Sequence, residues 1–283
     1  MIGIIEGEPL LYRGIIWIVK GYQHPRDGVI AYPRYDAVNR HKLRGWESYR
    51  LVRSRAVYWD CIKQEVPVIN GSPYIWRPSN DTISHRLLEL LGILRDYLGE
   101  ENVYPTGSVL IGDARDIDIV IRGDPASAVE TLRSLRRNNI LGRPGPGYLW
   151  REYLSKHSRI LSYTEYLVLK KSTLLHNVYR GIPVSIRINM YKEGINGCRD
   201  RVLDRRAAGP IKIHVVEAQS PYTTPARYKC WTEKYGSIML ETYRMVYAEL
   251  EPGGYIFHGY IEYRDNGVFL VPDHGYLKPL PGG

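Results

Sequence analysis

The sequence predicts an α+β fold, in which a mixed β-sheet flanked by helices lies between two β-rich modules. Residues 1–77 and 206–283 consist of short apolar and aromatic runs interrupted by Gly and Pro, which is typical of strands and turns. The residues between them combine helix-like leucine spacing with an apolar five-residue run, Ile117–Ile121. We therefore expect a small β-rich module over 1–77, a core over 78–205 and a barrel-like C-terminal domain over 206–283.

Two apolar runs dominate the N-terminal module, Gly14–Gly21 and Gly28–Tyr35. Both have the length and the flanking glycines of strands, and repeated Gly and Pro leave no helical periodicity around them. The module is therefore expected to contain strands and no helix.

The core is expected to begin with a helix, because Ser79-Asn80-Asp81 supplies N-cap residues ahead of apolar residues at helical spacing. This pattern ends near Gly99. The apolar positions are Ile83, Leu87, Leu90, Leu91 and Leu94. Further along the core, strands are predicted at Asn102–Tyr104, Ile117–Ile121 and Ile182–Met190, a helix at Pro125–Arg137, and mostly helical structure over Tyr148–Tyr179.

The C-terminal domain shows strand-like runs separated by Pro-Gly and Asn-Gly turns. These runs are Ile211–Ala218, Arg227–Trp231, Tyr255–Tyr263 and Gly267–Val271. Ser237–Leu250 fits either a strand or a short helix. The spacing is consistent with a small barrel similar to an oligonucleotide-binding fold.

Composition argues against several classes of protein. Apolar residues make up 44% of the chain and charged residues 24%, values that are ordinary for a globular protein and unlike those of a disordered one. No apolar run approaches the roughly 20 residues of a membrane-spanning helix, and the N-terminus lacks the basic region of a signal peptide. We therefore expect a cytoplasmic protein with no membrane partner.

The three cysteines, Cys61, Cys198 and Cys230, match neither a disulfide framework nor a zinc motif. This usage points to a reducing interior. Three glutamines in 283 residues, with abundant Arg, suggest a thermophilic source.

The formal net charge of +9 suits an anionic partner such as a nucleotide or a nucleic acid. An Arg-rich surface without such a partner is the alternative. Arg133, Arg136 and Arg137 form a basic helical patch that could contact a nucleic-acid backbone. The oligomeric state stays open.

Gly107-Ser108 and Asp116-Ile117-Asp118 carry the strongest chemical signal. Two aspartates separated by one residue on a strand point to the same face, about 6–7 Å apart along it, where they can share a metal ion. Carboxylate oxygens are ligands that Mg²⁺ prefers. A Gly-Ser turn allows backbone N–H groups and a hydroxyl to meet phosphate oxygens. The alternative is a pair of solvated acids on an edge strand.

This ordered pair of motifs resembles the Gly-Ser…Asp-x-Asp motif of the DNA polymerase beta nucleotidyltransferase superfamily. The whole chain further resembles a group of archaeal proteins that are predicted nucleotidyltransferases, through the segment Gly21…His24-Pro25…Ala31-Tyr32-Pro33-Arg34-Tyr35 and the β-rich tail. The resemblance implies a nucleotidyltransferase core, with Asp116 and Asp118 as catalytic metal ligands. It also implies Mg²⁺ or Mn²⁺ as cofactor, an NTP as substrate, and a nucleic-acid or protein acceptor.

One departure from the family pattern concerns a third carboxylate, which the family usually carries on a later strand. The matching position here is Ser185, or Arg187 if the register slips. Another acid could serve, with Asp113, Glu193 and Glu217 as candidates; one metal could suffice; or catalysis has been lost. The competing functions are therefore a degenerate fold that binds nucleic acid and a transferase that modifies a protein partner.

Other polar residues are weaker candidates. Lys170, Lys171 and Arg180 precede the last strand of the core and could bind a triphosphate, or simply end a solvated helix. His24, Arg34 and Tyr35 could stack on bases, although a β core with a surface Arg is the preferred interpretation. Arg199, Arg201, Arg205 and Arg206 form a basic run expected in a linker.

Overall fold

A computed structural model describes residues 3–71, 73–78, 83–112, 115–170 and 173–280, and the architecture is α+β, as predicted. The chain divides into two compact units. The first consists of Met1–Thr131 with Val178–Arg201, and the second of Leu132–Asn177 with Val202–Gly283. These units are defined by the contacts between residues and not by composition. The three sequence segments 1–77, 78–205 and 206–283 therefore stay a prediction.

The N-terminal strands of the first unit form a sheet around a core that includes Leu10, Trp17 and Ile69. The strands are β1 Pro9–Tyr12, β2 Ile15–Val19, β3 Gln23–His24, β4 Gly28–Asp36, β5 His41–Lys42, β6 Ala56–Trp59, β7 Gln64–Asn70 and β8 Tyr74–Ile75. The order in the sheet is β6-β7-β4-β2-β1-β8, with β5 paired to β4, and β3 lies outside this sheet. β2 and β4 confirm the two strands predicted for this module.

A helix in the same module, α1 at Gly45–Arg53, contradicts the expectation that the module contains none. None of its residues is buried. Its apolar residues Trp46, Tyr49 and Val52 recur at helical spacing, but over only nine residues, so the pattern is too short to stand out in the sequence.

A second sheet follows, preceded by a helix that confirms the predicted leucine pattern. The elements are α2 His85–Leu98, β9 Val103–Thr106, β10 Ile117–Ile121, α3 Pro125–Arg137, β11 His176–Tyr179, β12 Ile182–Asn189 and β13 Ile195–Asn196. Neighbouring strands run in the order β11-β12-β10-β9. β10 is parallel to β12 and antiparallel to β9, while the short β13 pairs with β3.

The start of α2 differs from the prediction. Its N-cap is Ser84, whose Oγ accepts a hydrogen bond from the Leu87 backbone N–H at 3.4 Å. The expected cap residues Ser79-Asn80-Asp81 lie outside the described residues. Ser84 does not stand out in the sequence because it follows Ile83, which fits the apolar spacing of the helix itself.

A disulfide between Cys61 and Cys198 corrects the cysteine prediction. The two residues are separated by 137 positions, and their Cα atoms lie 5.6 Å apart. A single pair at this separation has no recognisable spacing, so the sequence does not reveal it. The bridge removes the cysteine argument for a reducing interior, although intracellular proteins of hyperthermophiles are a known exception.

The second unit combines helices with a barrel. It contains α4 Pro146–Glu152, a π-helical turn Tyr153–His157 and α5 Tyr163–Lys170, so the predicted helical stretch Tyr148–Tyr179 is wrong where β11 begins. Its strands are β14 Val202–Ser220, β15 Thr223–Thr224, β16 Ala226–Thr232, β17 Gly236–Thr242, β18 Gly253–Arg264 and β19 Gly267–Pro279. The basic run near Arg205 thus lies partly on β14 and not in a linker.

The barrel is closed in the order β14-β16-β17-β19-β18, which confirms the predicted small barrel. Only the β17–β19 pair is parallel among its five pairings. The ambiguous stretch Ser237–Leu250 is a strand up to Thr242, followed by a 3₁₀ turn at Met245–Tyr247. Among the described residues, no helix is long and apolar enough to cross a membrane.

His24 makes folding stability depend on pH. Its Nδ1 accepts a hydrogen bond from Ile30 N–H at 3.4 Å and its Nε2 lies 3.2 Å from the Ile4 carbonyl, so the ring fits the site as the neutral Nε2–H tautomer. Burial lowers the pKa of His24 to about 4. Below about pH 6.5 His24 is protonated in the unfolded chain but stays neutral in the folded chain. The free energy of unfolding therefore falls as the pH falls.

We expect this residue to remove about 2–3 kcal/mol of stability between pH 7 and pH 4.5. Urea unfolding of the wild type and of His24→Gln at both pH values measures the effect. Glutamine keeps one donor and one acceptor but does not titrate, so the variant should lose less stability on acidification. Identical losses in the two proteins would contradict the assignment.

Candidate active site

Strand β10 places the two aspartates at one end of the second sheet. Asp116 directly precedes the strand and Asp118 lies within it, and both are partly exposed. Ile117 and Ile119 alternate with them and are buried. Asp118 is the register partner of Thr106 on β9 and of Ser185 on β12, so these three side chains share a face of the sheet.

The Gly107-Ser108 turn lies directly against this pair. Gly107 has a φ of +77°, and a Cβ at this position would stand 2.8 Å from Cγ of Asp118. Only glycine fits without displacing the carboxylate. Ser108 Oγ donates a hydrogen bond to Oδ1 of Asp116 at 3.2 Å. Four of the six site residues that the sequence predicted are therefore brought together.

Tyr35 and Arg34, at the end of β4, lie near the aspartates. Tyr35 is 3% exposed, and its side chain interacts with the Arg34 side chain and, electrostatically, with Asp118 and Asp116. Burial, together with the two carboxylates, raises the pKa of Tyr35 to about 12. The hydroxyl therefore keeps its proton at neutral pH. The sequence of the module did not indicate that this tyrosine lies near the aspartates.

The expected position of the third carboxylate is occupied by Ser185, because β12 pairs with β10 without a slip. Arg187 pairs with Val120 instead. Among the alternative acids, Glu193 is exposed, Glu217 lies on β14 in the other unit, and Asp113 lies outside the described residues. Within the described part of the chain, no group of three His, Cys, Asp or Glu side chains is arranged to hold a metal ion.

The N-terminal residues Glu6, Gly7 and Glu8 cover the rest of this sheet face, which the sequence did not indicate. Glu6 Oε1 accepts hydrogen bonds from Arg187 at 2.6 Å and from Lys20 at 2.9 Å. The Gly7 carbonyl accepts one from Thr106 Oγ1 at 3.0 Å.

The carboxylate of Glu6 is a structural partner of these cations. Burial opposes its ionisation, yet Lys20 and Arg187 together hold the pKa of Glu6 below its usual value. Because Glu6 is only 1% exposed, it is closed to a substrate and does not replace the missing acid. The pair of acids in Glu6-Gly7-Glu8, within an apolar N-terminus, is the one sequence feature that could have indicated this arrangement.

The predicted triphosphate-binding cations are not gathered at the aspartates. Arg180 forms an ion pair with Glu89 of α2 and lies over the Tyr179 ring. Lys171 lies outside the described residues. Lys170 is buried in the second unit, where its Nζ lies 3.1 Å from His176 Nε2, and burial lowers the pKa of Lys170 to about 8. It does not end a solvated helix.

The basic patch on α3 is also partly engaged. Arg136 donates hydrogen bonds to Asn177 Oδ1 and to the His176 carbonyl, each at 2.8 Å. Arg133 and Arg137 are exposed.

Comparison of the chain with protein-family models, with curated proteins and with solved structures finds no match in any of the three. The function is therefore argued from the site itself.

Proposed function

We propose that the chain is a metal-dependent nucleotidyltransferase, which moves a nucleoside monophosphate from an NTP to a hydroxyl of a nucleic-acid or protein acceptor. One observation carries the proposal: the Gly107-Ser108 turn lies directly against two carboxylates on one sheet face. A phosphate-binding turn beside two metal-binding acids is the minimum that this chemistry requires.

The donor set fits a hard divalent cation. Asp116 and Asp118 would hold Mg²⁺ or Mn²⁺ through carboxylate oxygens, the ligands that such ions prefer. A bound ion would supply positive charge that offsets the phosphate charge and polarises the phosphorus–oxygen bonds.

The chain's own groups bind and orient the nucleotide in this proposal. Backbone N–H groups of the turn at Gly107 would donate to phosphate oxygens. Arg34 is exposed, and its guanidinium suits a phosphate.

In the reaction, the acceptor hydroxyl oxygen forms a bond to the α-phosphorus while the bond to the bridging oxygen breaks and pyrophosphate leaves. The hydroxyl proton passes to water, because Ser185 stands where the family has a base. The missing base is expected to slow transfer by about 10²–10⁴-fold relative to a site that has one.

Metal-dependent nucleotide binding tests the site without requiring turnover. We expect the wild type to bind a fluorescent NTP analogue in the presence of Mg²⁺ and at least about tenfold more weakly after its removal by EDTA. Asp116→Asn should bind weakly under both conditions. Asp124→Asn is the matched control, since Asp124 is an exposed acid that caps α3 through Ser127 and asparagine can also cap.

Nucleotide binding that is unchanged in Asp116→Asn, or that is indifferent to Mg²⁺, would contradict the site assignment. The competing function, a nucleic-acid-binding protein on a degenerate transferase core, is favoured by Ser185 at the position of the third acid. It predicts salt-sensitive RNA binding without label transfer from any NTP.

A further inference from the structure

Helix α1 exposes the side chains that a helix normally buries. Trp46 is 71% exposed and Tyr49 is 53% exposed, and no residue of Gly45–Arg53 is buried. The two rings stack on each other with centroids 5.4 Å apart and planes 28° apart. Leu51 alone on this helix packs, partly buried, against the core of the N-terminal sheet. Large aromatic side chains gathered on a surface in this way typically mark an interaction site.

The same stretch is strongly basic. Residues 40–55 carry six Lys and Arg side chains and one carboxylate, Glu47, in a chain whose total charge is +9. The six are Arg40, Lys42, Arg44, Arg50, Arg53 and Arg55. Arg53 is paired with Glu65, whereas no described residue forms an ion pair with the exposed Arg44 or Arg50.

We propose that α1 binds single-stranded nucleic acid, with bases stacking on Trp46 and Tyr49 and phosphates contacting Arg44 and Arg50. Aromatic platforms beside cations are the usual means of holding a single strand, because every base has a face that stacks and every linkage has a charge. Helices that lie on membranes present a continuous apolar face. The exposed side of α1 presents two flat rings among arginines, which favours nucleotides.

The position of α1 connects this surface to the candidate active site. Lys42 on β5 is the register partner of Tyr35, and Leu43 N–H donates a hydrogen bond to the Arg34 carbonyl at 3.0 Å. Gly45 follows Lys42 by three positions along the chain, a span of at most about 10 Å. A strand held on α1 therefore lies near Tyr35, and in this respect the inference rests on the proposed function and names nucleic acid as its acceptor.

Fluorescence anisotropy with a labelled 20-nucleotide single-stranded RNA tests binding by the full chain. We expect Trp46→Ala to weaken binding about tenfold, in line with the loss of one stacked base. Trp231→Ala, which removes a 50% exposed tryptophan from the barrel, should leave binding unchanged. Because Trp46 is not buried, its variant should unfold at the wild-type urea concentration.

The arginines are tested separately, through the dependence of RNA affinity on salt concentration. Arg44→Ala/Arg50→Ala should flatten the slope of log affinity against log salt by about 1.4, or about 0.7 for each phosphate that is no longer neutralised. Lys212→Ala/Lys229→Ala, which removes two exposed charges from the barrel strands, should not change the slope.

Three outcomes would overturn the inference. The wild type does not bind RNA, Trp46→Ala binds RNA as tightly as the wild type, or the wild type binds phosphatidylserine vesicles more tightly than RNA and loses that vesicle binding in Trp46→Ala. Asp116→Asn separates this inference from the proposed function, because it should bind RNA as the wild type does. If RNA binds through α1 but no nucleotide is transferred, the proposed function fails and the binding surface stands. If nucleotide is transferred and Trp46→Ala binds RNA as tightly as the wild type, the proposed function stands and the binding surface on α1 fails.

Discussion

Gly107→Ala is expected to reduce nucleotide transfer by at least about 100-fold, since a displacement of about 1 Å in a reacting group has this cost. The added methyl group would overlap the Asp118 carboxylate, with only 2.8 Å to its Cγ, so either the turn or the aspartate must move. Steady-state transfer rates at saturating NTP, compared with the wild type, measure the effect.

The matched control is Gly112→Ala, five residues further along. Gly112 has a similar φ of +84°, but among the described residues no atom beyond its chain neighbours lies within 4 Å of the place that a Cβ would occupy there. Alanine at this position therefore brings the same backbone strain without the overlap. Its expected cost is about 1 kcal/mol of stability with transfer largely retained. Equal losses of activity in the two variants would mean that backbone strain, and not the proximity of Asp118, explains the glycine.

Removal of the Cys61–Cys198 disulfide is expected to have the largest effect on stability. The bridge closes a segment of 137 residues, and the chain-entropy relation assigns such a loop about 5 kcal/mol. Cys61→Ala/Cys198→Ala should therefore unfold at a much lower urea concentration than the wild type, as followed by circular dichroism.

Reduction provides the internal control for this measurement. Dithiothreitol should shift the unfolding midpoint of the wild type toward that of the double variant and leave the double variant unchanged. Cys230 is free and remains in both proteins, so it does not contribute to the difference. A midpoint that dithiothreitol does not move in the wild type would show that the bridge is absent in solution.

Features governed by neighbouring residues were predicted well from the sequence. The bounds of β10 and α3 agree with the expected Ile117–Ile121 and Pro125–Arg137, because the alternation of the first and the spacing of the second are local patterns. The same holds for the Gly107-Ser108 turn and the Asp116–Asp118 pair, whose positions depend on a strand and the turn before it.

Features that join distant parts of the chain were not predictable in this way. The hydrogen bond between Arg187 and Glu6 joins residues 181 positions apart, and Tyr35 interacts electrostatically with the aspartates from a separate sheet. Helix α1 was unexpected for a different reason: its apolar residues Trp46, Tyr49 and Val52 recur at helical spacing, but the pattern covers only nine residues among strand-like runs. Neighbouring residues alone do not specify such contacts, since they form only when the sheets pack.

Transfer of label from NTPs that carry ³²P at the α-phosphate tests the central claim most directly. The wild type, Asp118→Asn and Asp124→Asn are incubated with each NTP, Mg²⁺ or Mn²⁺, and single-stranded RNA or protein acceptors. The proposed function predicts that the wild type and Asp124→Asn label an acceptor and release pyrophosphate in equal amounts, whereas Asp118→Asn does neither. No label in any acceptor with any NTP, or equal labelling by Asp118→Asn, would contradict it.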